Sequence, residues 1–303
     1  MAWLITGRCN QKCTYCMWKH LRSSDELDTA QVKDMVDQMK AAGVLLLSIT
    51  GGEPLLRDDI GEIIRHVKRR GLVCKLNTNG KLLEQKLDLL RPLDLLQISI
   101  DGPPAVHEIL RGDSTAAHIP HTVKLVREAG IPLQVNTSLS RITILHMDEI
   151  LQWGLDQGIC IYFQLLSKNF VRHDEIAQFS PEPEDLLTTL TKLLKIKKDR
   201  HDPRSQVIGS SVGSMSYLID RIEHPRTYCD SAPVSATMLP DGQLIFCANA
   251  QTHQAHDAVK LGFAEAWSRL TIPECQGCEC IGRLRVSRIY NRDVSVIKEV
   301  LGL

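Results

Sequence analysis

Cys9, Cys13 and Cys16 stand in the run Arg8-Cys9-Asn10-Gln11-Lys12-Cys13-Thr14-Tyr15-Cys16, directly after an apolar stretch from Ala2 to Ile5 that reads as a strand. Thiolates at this spacing on one loop can take three irons of a [4Fe–4S] cluster and leave the fourth without a protein ligand. An open iron is a position where a substrate or cofactor can bind metal directly. The competing chemistry is a zinc knot. Structural zinc prefers four closed ligands, usually in paired Cys-x-x-Cys units, and a lone triplet fits that poorly.

The elements that must position these thiols follow a regular alternation. Val44 to Thr50, Leu72 to Thr78, Leu95 to Asp101, Ile131 to Ser138 and Ile159 to Leu166 are short Val/Ile/Leu-rich runs that read as parallel strands covered on both faces. Helical patterns lie between them: Thr29 to Ala42, Asp58 to Arg70, Ala116 to Ala129 and Leu145 to Gln157. Gly43, Gly71, Gly130 and Gly158 each follow a helical pattern and precede a strand, the position where glycine ends helices. With the N-terminal strand this makes six βα units in residues 1 to about 166. The pattern then weakens. Ser180-Pro181-Glu182-Pro183 opens a helix to about Lys198, Asp202-Pro203 breaks it, and Gly209 to Ser216 reads as a small, polar loop.

Five of the ten cysteines form a second group: Cys229, Cys247, Cys275, Cys278 and Cys280. Met238 to Phe246 reads as a hairpin turning on Pro240-Asp241-Gly242, with Cys247 at its far end, and Gly262 to Leu270 as a short helix. A zinc site on the same thiols is the alternative. Cys74 and Cys160 lie inside predicted strands, where a cysteine is ordinarily a small core residue.

The Cys-x-x-x-Cys-x-aromatic-Cys triplet, together with Gly51-Gly52-Glu53-Pro54 at the end of an apolar run, resembles the radical S-adenosylmethionine (SAM) enzymes. The resemblance implies an α/β fold, a partial (β/α)6 barrel open on one side, with SAM chelating the open iron. Reductive cleavage of SAM then yields a 5′-deoxyadenosyl radical that takes a hydrogen atom from substrate. It places Tyr15 near the adenine, Gly51, Gly52, Glu53 and Pro54 at the methionine end of SAM, and Ser99 and Asn136 near the ribose or carboxylate. Asp101 and Arg111 fall nearby, Asn79 ends the third strand, and Gln164 closes the sixth toward adenine or substrate. Turn formation and capping by Asn and Asp remain the ordinary alternative for these polar residues.

Cys229, Gly242, Cys247 and the Cys275/Cys278 pair further resemble the auxiliary-cluster module of many such enzymes, in its shorter, twitch-like form because no cysteine follows Cys280. One auxiliary [4Fe–4S] cluster is implied, its fourth ligand open between Cys278 and Cys280. Residues 1–200 are expected to form the barrel and 201–303 the linker and auxiliary (twitch/SPASM-like) domain. Thiols that could return a hydrogen atom to a substrate radical are Cys74, Cys160 and Cys280. His20, His253 and His256 are expected to be solvated loop histidines.

At 303 residues, 43% apolar and with a formal net charge of zero, the chain suits a globular core and gives no electrostatic grip on nucleic acid. No membrane span is expected, because no apolar run approaches ~20 residues. The first strand leaves no room for a signal peptide, so the cysteines point to metal in a reducing cytoplasm. The main expectation is an oxidoreductase or epimerase acting on a small-molecule substrate such as a sugar, cyclitol or similar alcohol, served by a flavodoxin- or ferredoxin-type reductant. The alternative is a maturase that modifies a ribosomally made precursor peptide by thioether, carbon–carbon or epimeric chemistry. Such maturases commonly carry a leader-recognition domain ahead of the cluster loop, and here eight residues precede Cys9. A zinc-stabilised binding protein is the distant third.

Overall fold

A computed structural model describes residues 1–16, 18, 25–112, 115–166, 177–224, 234–247, 254–272 and 292. Six parallel strands, β1 (Ala2–Leu4), β2 (Leu46–Thr50), β3 (Val73–Thr78), β4 (Leu95–Ser99), β5 (Leu133–Leu139) and β6 (Ile161–Leu165), lie side by side in chain order. Helices α1 (Thr29–Ala41), α2 (Ile60–Arg69), α3 (Leu83–Leu90), α4 (Pro104–Arg111), α5 (Thr115–Glu128) and α6 (Met147–Gln157) connect them. This is the parallel α/β core that the alternation predicts, in the partial-barrel form that the resemblance implies.

Local chemistry fixes the helix ends. α1 opens on a capping box: Asp28 Oδ1 accepts from Gln31 N at 2.9 Å, and Gln31 Oε1 accepts from Asp28 N at 3.0 Å. Its apolar positions Val32, Met35, Val36 and Met39 fall on one buried stripe. The four glycines expected to stop helices all take positive φ, from 61° to 87°. Two of the connecting helices were not foreseen. α3 is short, and α4 opens on Pro104 directly after Pro103. Pro104 occupies its first turn and Gly112 (φ 74°) ends it, its amide bonding Glu108 O at 2.8 Å.

The strands depart from expectation in one consequential way: they are not covered on both faces. Leu47, Ile49, Leu76, Leu96, Ile98, Val135 and Phe163 are buried. The alternate positions Ser48, Asn77, Gln97, Ser99, Asn136, Ser138, Tyr162 and Gln164 are polar and half-buried, and the parallel register sets them on one face. That polar inner face is what an open barrel presents to a ligand.

The C-terminal part extends this sheet. β7 (Thr237–Met238) pairs in parallel with β1, and β8 (Gln243–Ile245) and β9 (His256–Asp257) continue antiparallel. The expected hairpin is β7–β8, turning at Gly242 (φ 83°). α7 (Pro183–Lys198) and α8 (Val212–Glu223) complete the helical layer. Gly209 to Ser216 is not a loop throughout, because Ser211 caps α8 by accepting from Ser214 N at 2.9 Å. A short helix that was not foreseen, α9 (Ala258–Leu261), comes first, and the helix expected over Gly262 to Leu270 follows as α10 (Phe263–Ser268), the two divided at Gly262 (φ 81°). Leu193, Ile208, Leu218, Met238 and Leu244 join one buried cluster with the strands, so residues on both sides of position 200 share a core. Among the described residues no helix is long and apolar enough to cross a membrane.

Candidate active site at the mouth of the barrel

The cysteine loop leaves β1 and is held from three sides. Gly52 N donates to Thr6 O and Glu53 N to Arg8 O, each at 2.8 Å. A Cβ on Gly51 (φ 133°) would stand 2.4 Å from Thr6 O, and one on Gly52 2.1 Å from Arg8 O. The two glycines thus serve a backbone-to-backbone contact with the loop itself. On a second side, Asn79 Nδ2 donates to Asn10 Oδ1 at 2.7 Å and Lys81 Nζ to Asn10 O at 3.4 Å. On the third, both Thr14 N and Thr14 Oγ1 donate to Leu110 O at 2.9 Å, at the end of α4.

Cys9, Cys13 and Cys16 are all half-buried thiols. Burial pushes the Cys13 thiol up to about 11; Arg111 opposes this, while Cys16, Asp101 and Cys9 add to it. The three sulfurs are therefore electrostatic neighbours. Yet no three His, Cys, Asp or Glu side chains among the described residues converge on a single ion position. A cluster asks for one thiolate per iron around a body wider than one ion, and a thiol-only donor set suits iron–sulfur chemistry. The loop fits the group.

Behind the loop lies a buried polar network. Asp101, 0% exposed, accepts from Arg111 Nε at 2.7 Å, from Ser138 N at 3.0 Å and from the Tyr15 hydroxyl. Arg111 Nη2 donates to Tyr15 Oη at 2.8 Å, its guanidinium lies 5.7 Å from the Tyr15 ring centroid, and Nη1 stands 4.0 Å from Cys13 Sγ. Burial raises the Asp101 carboxyl, but the Arg111 charge and the bonds from Arg111, Tyr15 and Ser138 outweigh it and hold the group below the usual carboxylate range. Burial also pushes the Tyr15 phenol well up. Tyr15, Val106, Leu110 and Leu166 form a small apolar cluster around this network. Tyr15 thus braces the loop from within.

Glu53 is completely buried and its oxygens are engaged. Oε1 accepts from Leu55 N at 3.0 Å and Thr78 Oγ1 at 2.8 Å, and Oε2 from Asn79 N at 2.8 Å. Burial raises its carboxyl above the ordinary value, against the lowering by those three donors. The structure places Glu53 as a local brace that caps the 3-10 turn Pro54–Leu56 and fixes the end of β3.

Ser99 and Asn136 are register partners on the inner face, and Gln164 lies opposite Ser138. Asn136 Oδ1 accepts from Gln134 Nε2 at 3.1 Å and Gln97 Nε2 at 3.5 Å. Cys74 is fully buried among the core residues, as a strand cysteine should be. Cys160 is exposed and precedes β6, its thiol donating to Gln206 O at 3.4 Å. The apolar run around Cys160 begins its strand two residues later than its sequence implies. Both thiols sit at the N-terminal ends of their strands, remote from the cysteine loop. Cys247 is half-buried just past β8; the register Ala2–Thr237–Ile245 sets it at the end of the sheet opposite Cys9. His256 lies in β9 opposite Leu244, because the hairpin recruits it as a third strand. Cys229, Cys275, Cys278, Cys280, His20 and His253 lie outside the described residues.

Sequence reasoning missed Ser138, Asn10, Asn77, Lys75 and Tyr162. The period-two alternation of polar residues inside otherwise apolar strands was the signal for the last three.

Residues 3–153, which contain the cysteine loop, the Gly51–Pro54 run and the Asp101–Arg111 pair, match the model of the Radical SAM superfamily. The chain belongs to the radical SAM superfamily. Radical SAM proteins bind a [4Fe–4S] cluster and SAM. A similar curated protein is the AdoMet-dependent heme synthase of Methanosarcina barkeri, 32% identical over 192 residues, covering 60% of this chain and 54% of the relative. Another is the PqqA peptide cyclase of Streptomyces rochei, 32% identical over 160 residues, covering 51% of this chain and 44% of the relative. The chain spans about half the length of the curated relatives it matches. Among solved radical SAM folds, anSMEcpe with bound AdoMet and Kp18Cys peptide superposes at a TM-score of 0.70 with 16% identity, covering 89% of this chain and 80% of that one. Streptococcus suis SuiB bound to precursor peptide SuiA gives 0.66 with 15% identity, covering 86% and 63%.

Proposed function

We propose that this radical SAM enzyme modifies a peptide segment held against the inner face of its sheet. The cluster that binds SAM would be held by Cys9, Cys13 and Cys16, and a second cluster by ligands drawn from Cys229, Cys247, Cys275, Cys278 and Cys280. When bound, the cluster and SAM supply a 5′-deoxyadenosyl radical that removes a carbon-bound hydrogen. Gly51 and Gly52 seat the loop that carries the cluster ligands. Ser99, Asn136 and Gln164 face the space where SAM and substrate must meet.

The observation that carries the peptide reading is the carboxamide lining. Asn77, Gln97, Gln134 and Asn136 occupy adjacent inward positions on β3, β4 and β5. The buried Asn77 Oδ1 has no hydrogen-bond partner among the described residues. Leaving such an acceptor unpaired costs about 1–3 kcal/mol, and a peptide N–H would satisfy it. Carboxamides both donate and accept, as a peptide backbone does. A haem-type substrate carries carboxylates that call for several cations, whereas Lys75 is the cation on these inward strand positions among the described residues. The PqqA peptide cyclase relative and the two peptide-bound folds support the same choice. They favour the maturase reading over the sugar or cyclitol reading.

Oxidation is the radical's proposed fate. Cys74 and Cys160 lie at the strand ends away from the cluster loop, and Cys280 is grouped with the second cluster's thiols. Cys247, at the opposite end of the sheet from Cys9, would let that cluster accept one electron across the inner face, the second hydrogen leaving the substrate radical as a proton to solvent. A flavodoxin- or ferredoxin-type protein would supply the initiating electron.

The test is anaerobic turnover of reconstituted protein with SAM, dithionite and a short peptide encoded beside its gene. The expected result is peptide-dependent 5′-deoxyadenosine and a peptide lighter by two hydrogens. Turnover stimulated by an aminocyclitol or sugar and by no peptide would replace this reading with the small-molecule one.

A further inference from the structure

We propose that Arg111 sets how readily the cluster on Cys9, Cys13 and Cys16 accepts an electron, acting through Cys13 as a positioning and redox-tuning residue. The proposal rests on the assignment of those cysteines as cluster ligands made above.

Arg111 is fully committed inside the protein. Its Nε goes to Asp101, its Nη2 to Tyr15, and its Nη1 faces Cys13 Sγ at 4.0 Å, with a side chain only 10% exposed. This geometry sets one guanidinium nitrogen against a ligand sulfur and leaves the side chain almost fully buried. Asp101 is held in turn by Arg111, Tyr15 and Ser138, so the guanidinium has one well-defined orientation. A buried ion pair adds little to folding, because the desolvation of both charges offsets their attraction. Stability therefore does not explain why this pair is placed here. A positive charge beside a cluster thiolate does. The reduced cluster carries one more negative charge, spread onto its sulfurs, and a nearby cation with an N–H aimed at sulfur favours that state. The step is a one-electron reduction by an external donor, with no proton transferred and no bond made or broken.

Tyr15 links the same device to the neighbouring ligand. It is adjacent to Cys16, its hydroxyl donates to Asp101, and the guanidinium lies against its ring. The pair therefore orders the loop at two of the three thiols.

The experiment is a redox titration of reconstituted holoprotein, following the SAM-responsive electron paramagnetic resonance signal, with iron and sulfide measured for every sample. Two variants are compared with wild type: the charge-neutral double variant D101N/R111Q, and R111K. In the double variant the ratio of reduced to oxidised cluster at a fixed potential should fall about tenfold, equivalent to about 59 mV for one electron. R111K keeps a charge but has no fork to reach both Asp101 and Cys13, and should fall about threefold. SAM affinity should stay within about threefold of wild type in both, since the guanidinium faces the ligand sulfur. Fully loaded variants with an unchanged ratio overturn the proposal, as does a large loss of SAM affinity at unchanged ratio. If the double variant cannot hold iron, R111K decides alone, and a wild-type ratio in it is the overturning result. Survival of the SAM-responsive cluster in the Cys13→Ala variant would instead sink the ligand assignment itself, and the iron measurement separates the two failures.

Discussion

The carbonyl oxygen of Arg8 rests directly on the Cα of Gly52, so close that a methyl group there would stand 2.1 Å from it. The neighbouring Glu53 amide donates to the same oxygen at 2.8 Å. The loop that carries the three thiols is thus stacked on the strand end that follows β2, with no space for a side chain between them.

Gly52→Ala should therefore displace the cysteine loop, because both partners in the clash are backbone and neither can rotate away. We expect iron on the N-terminal site to drop by more than half while far-ultraviolet circular dichroism is retained. Full iron loading in the alanine variant would show that the contact is not needed to seat the loop.

Cys9, Cys13 and Cys16 changed together to alanine should remove about four irons and all SAM cleavage, leaving any second cluster in place. Iron, sulfide and 5′-deoxyadenosine assays read this directly. Persistence of 5′-deoxyadenosine formation would rule out the mechanism.

Asp101 and Glu53, both buried, should respond to pH in opposite directions. The Asp101 carboxyl is held below its ordinary value of about 3.9, chiefly by Arg111 acting against burial. Its stabilising contribution is present above that unfolded value and is lost as pH falls through the folded one. D101N should cost about 3–5 kcal/mol at pH 7, since it strands Arg111, and the gap to wild type should narrow on acidification below about pH 4. Urea unfolding of the metal-free protein at several pH values measures it. A gap independent of pH would mean that Asp101 is not charged in the fold.

For Glu53 burial wins and its carboxyl is raised. Stability then declines as pH climbs from the unfolded value, about 4.3, to the folded one, and is flat beyond. E53Q should abolish that slope. It should also cost about 1–3 kcal/mol at pH 7, because an amide nitrogen cannot accept from the Asn79 N–H that Oε2 now holds. Equal thermal midpoints for the two proteins at pH 7 would contradict the bracing role.

Cys74 and Cys160 should separate cleanly under iodoacetamide. Cys160 is exposed and should be alkylated in native protein, whereas Cys74 is fully buried with its thiol pushed up to about 12 by burial. Peptide mass spectrometry before and after unfolding checks this. Native alkylation of Cys74 would place it outside the core.

Much of this architecture was legible in the chain itself. The thiol triplet, the Gly51–Pro54 run and the four helix-ending glycines are local signals, set by ligand spacing and by backbone conformations that few other residues adopt. Period and composition placed six strands to within a residue or two. The tertiary structure decided what those signals could not carry. Tyr15, the Asp101–Arg111 pair and Ser138 come from three separate stretches of the chain and meet only because β4, α4, β5 and the cysteine loop end at one place. Which polar strand residues face inward depends on register, and a shift of one residue would have reversed the faces. The hairpin that carries Cys247 reads as an isolated unit, and its pairing with β1 is a long-range contact with no local signature. Glu53 and Gly52 were recognised as functional from their motif. That both also fix backbone follows from burial and close contact, which arise only when the chain has folded.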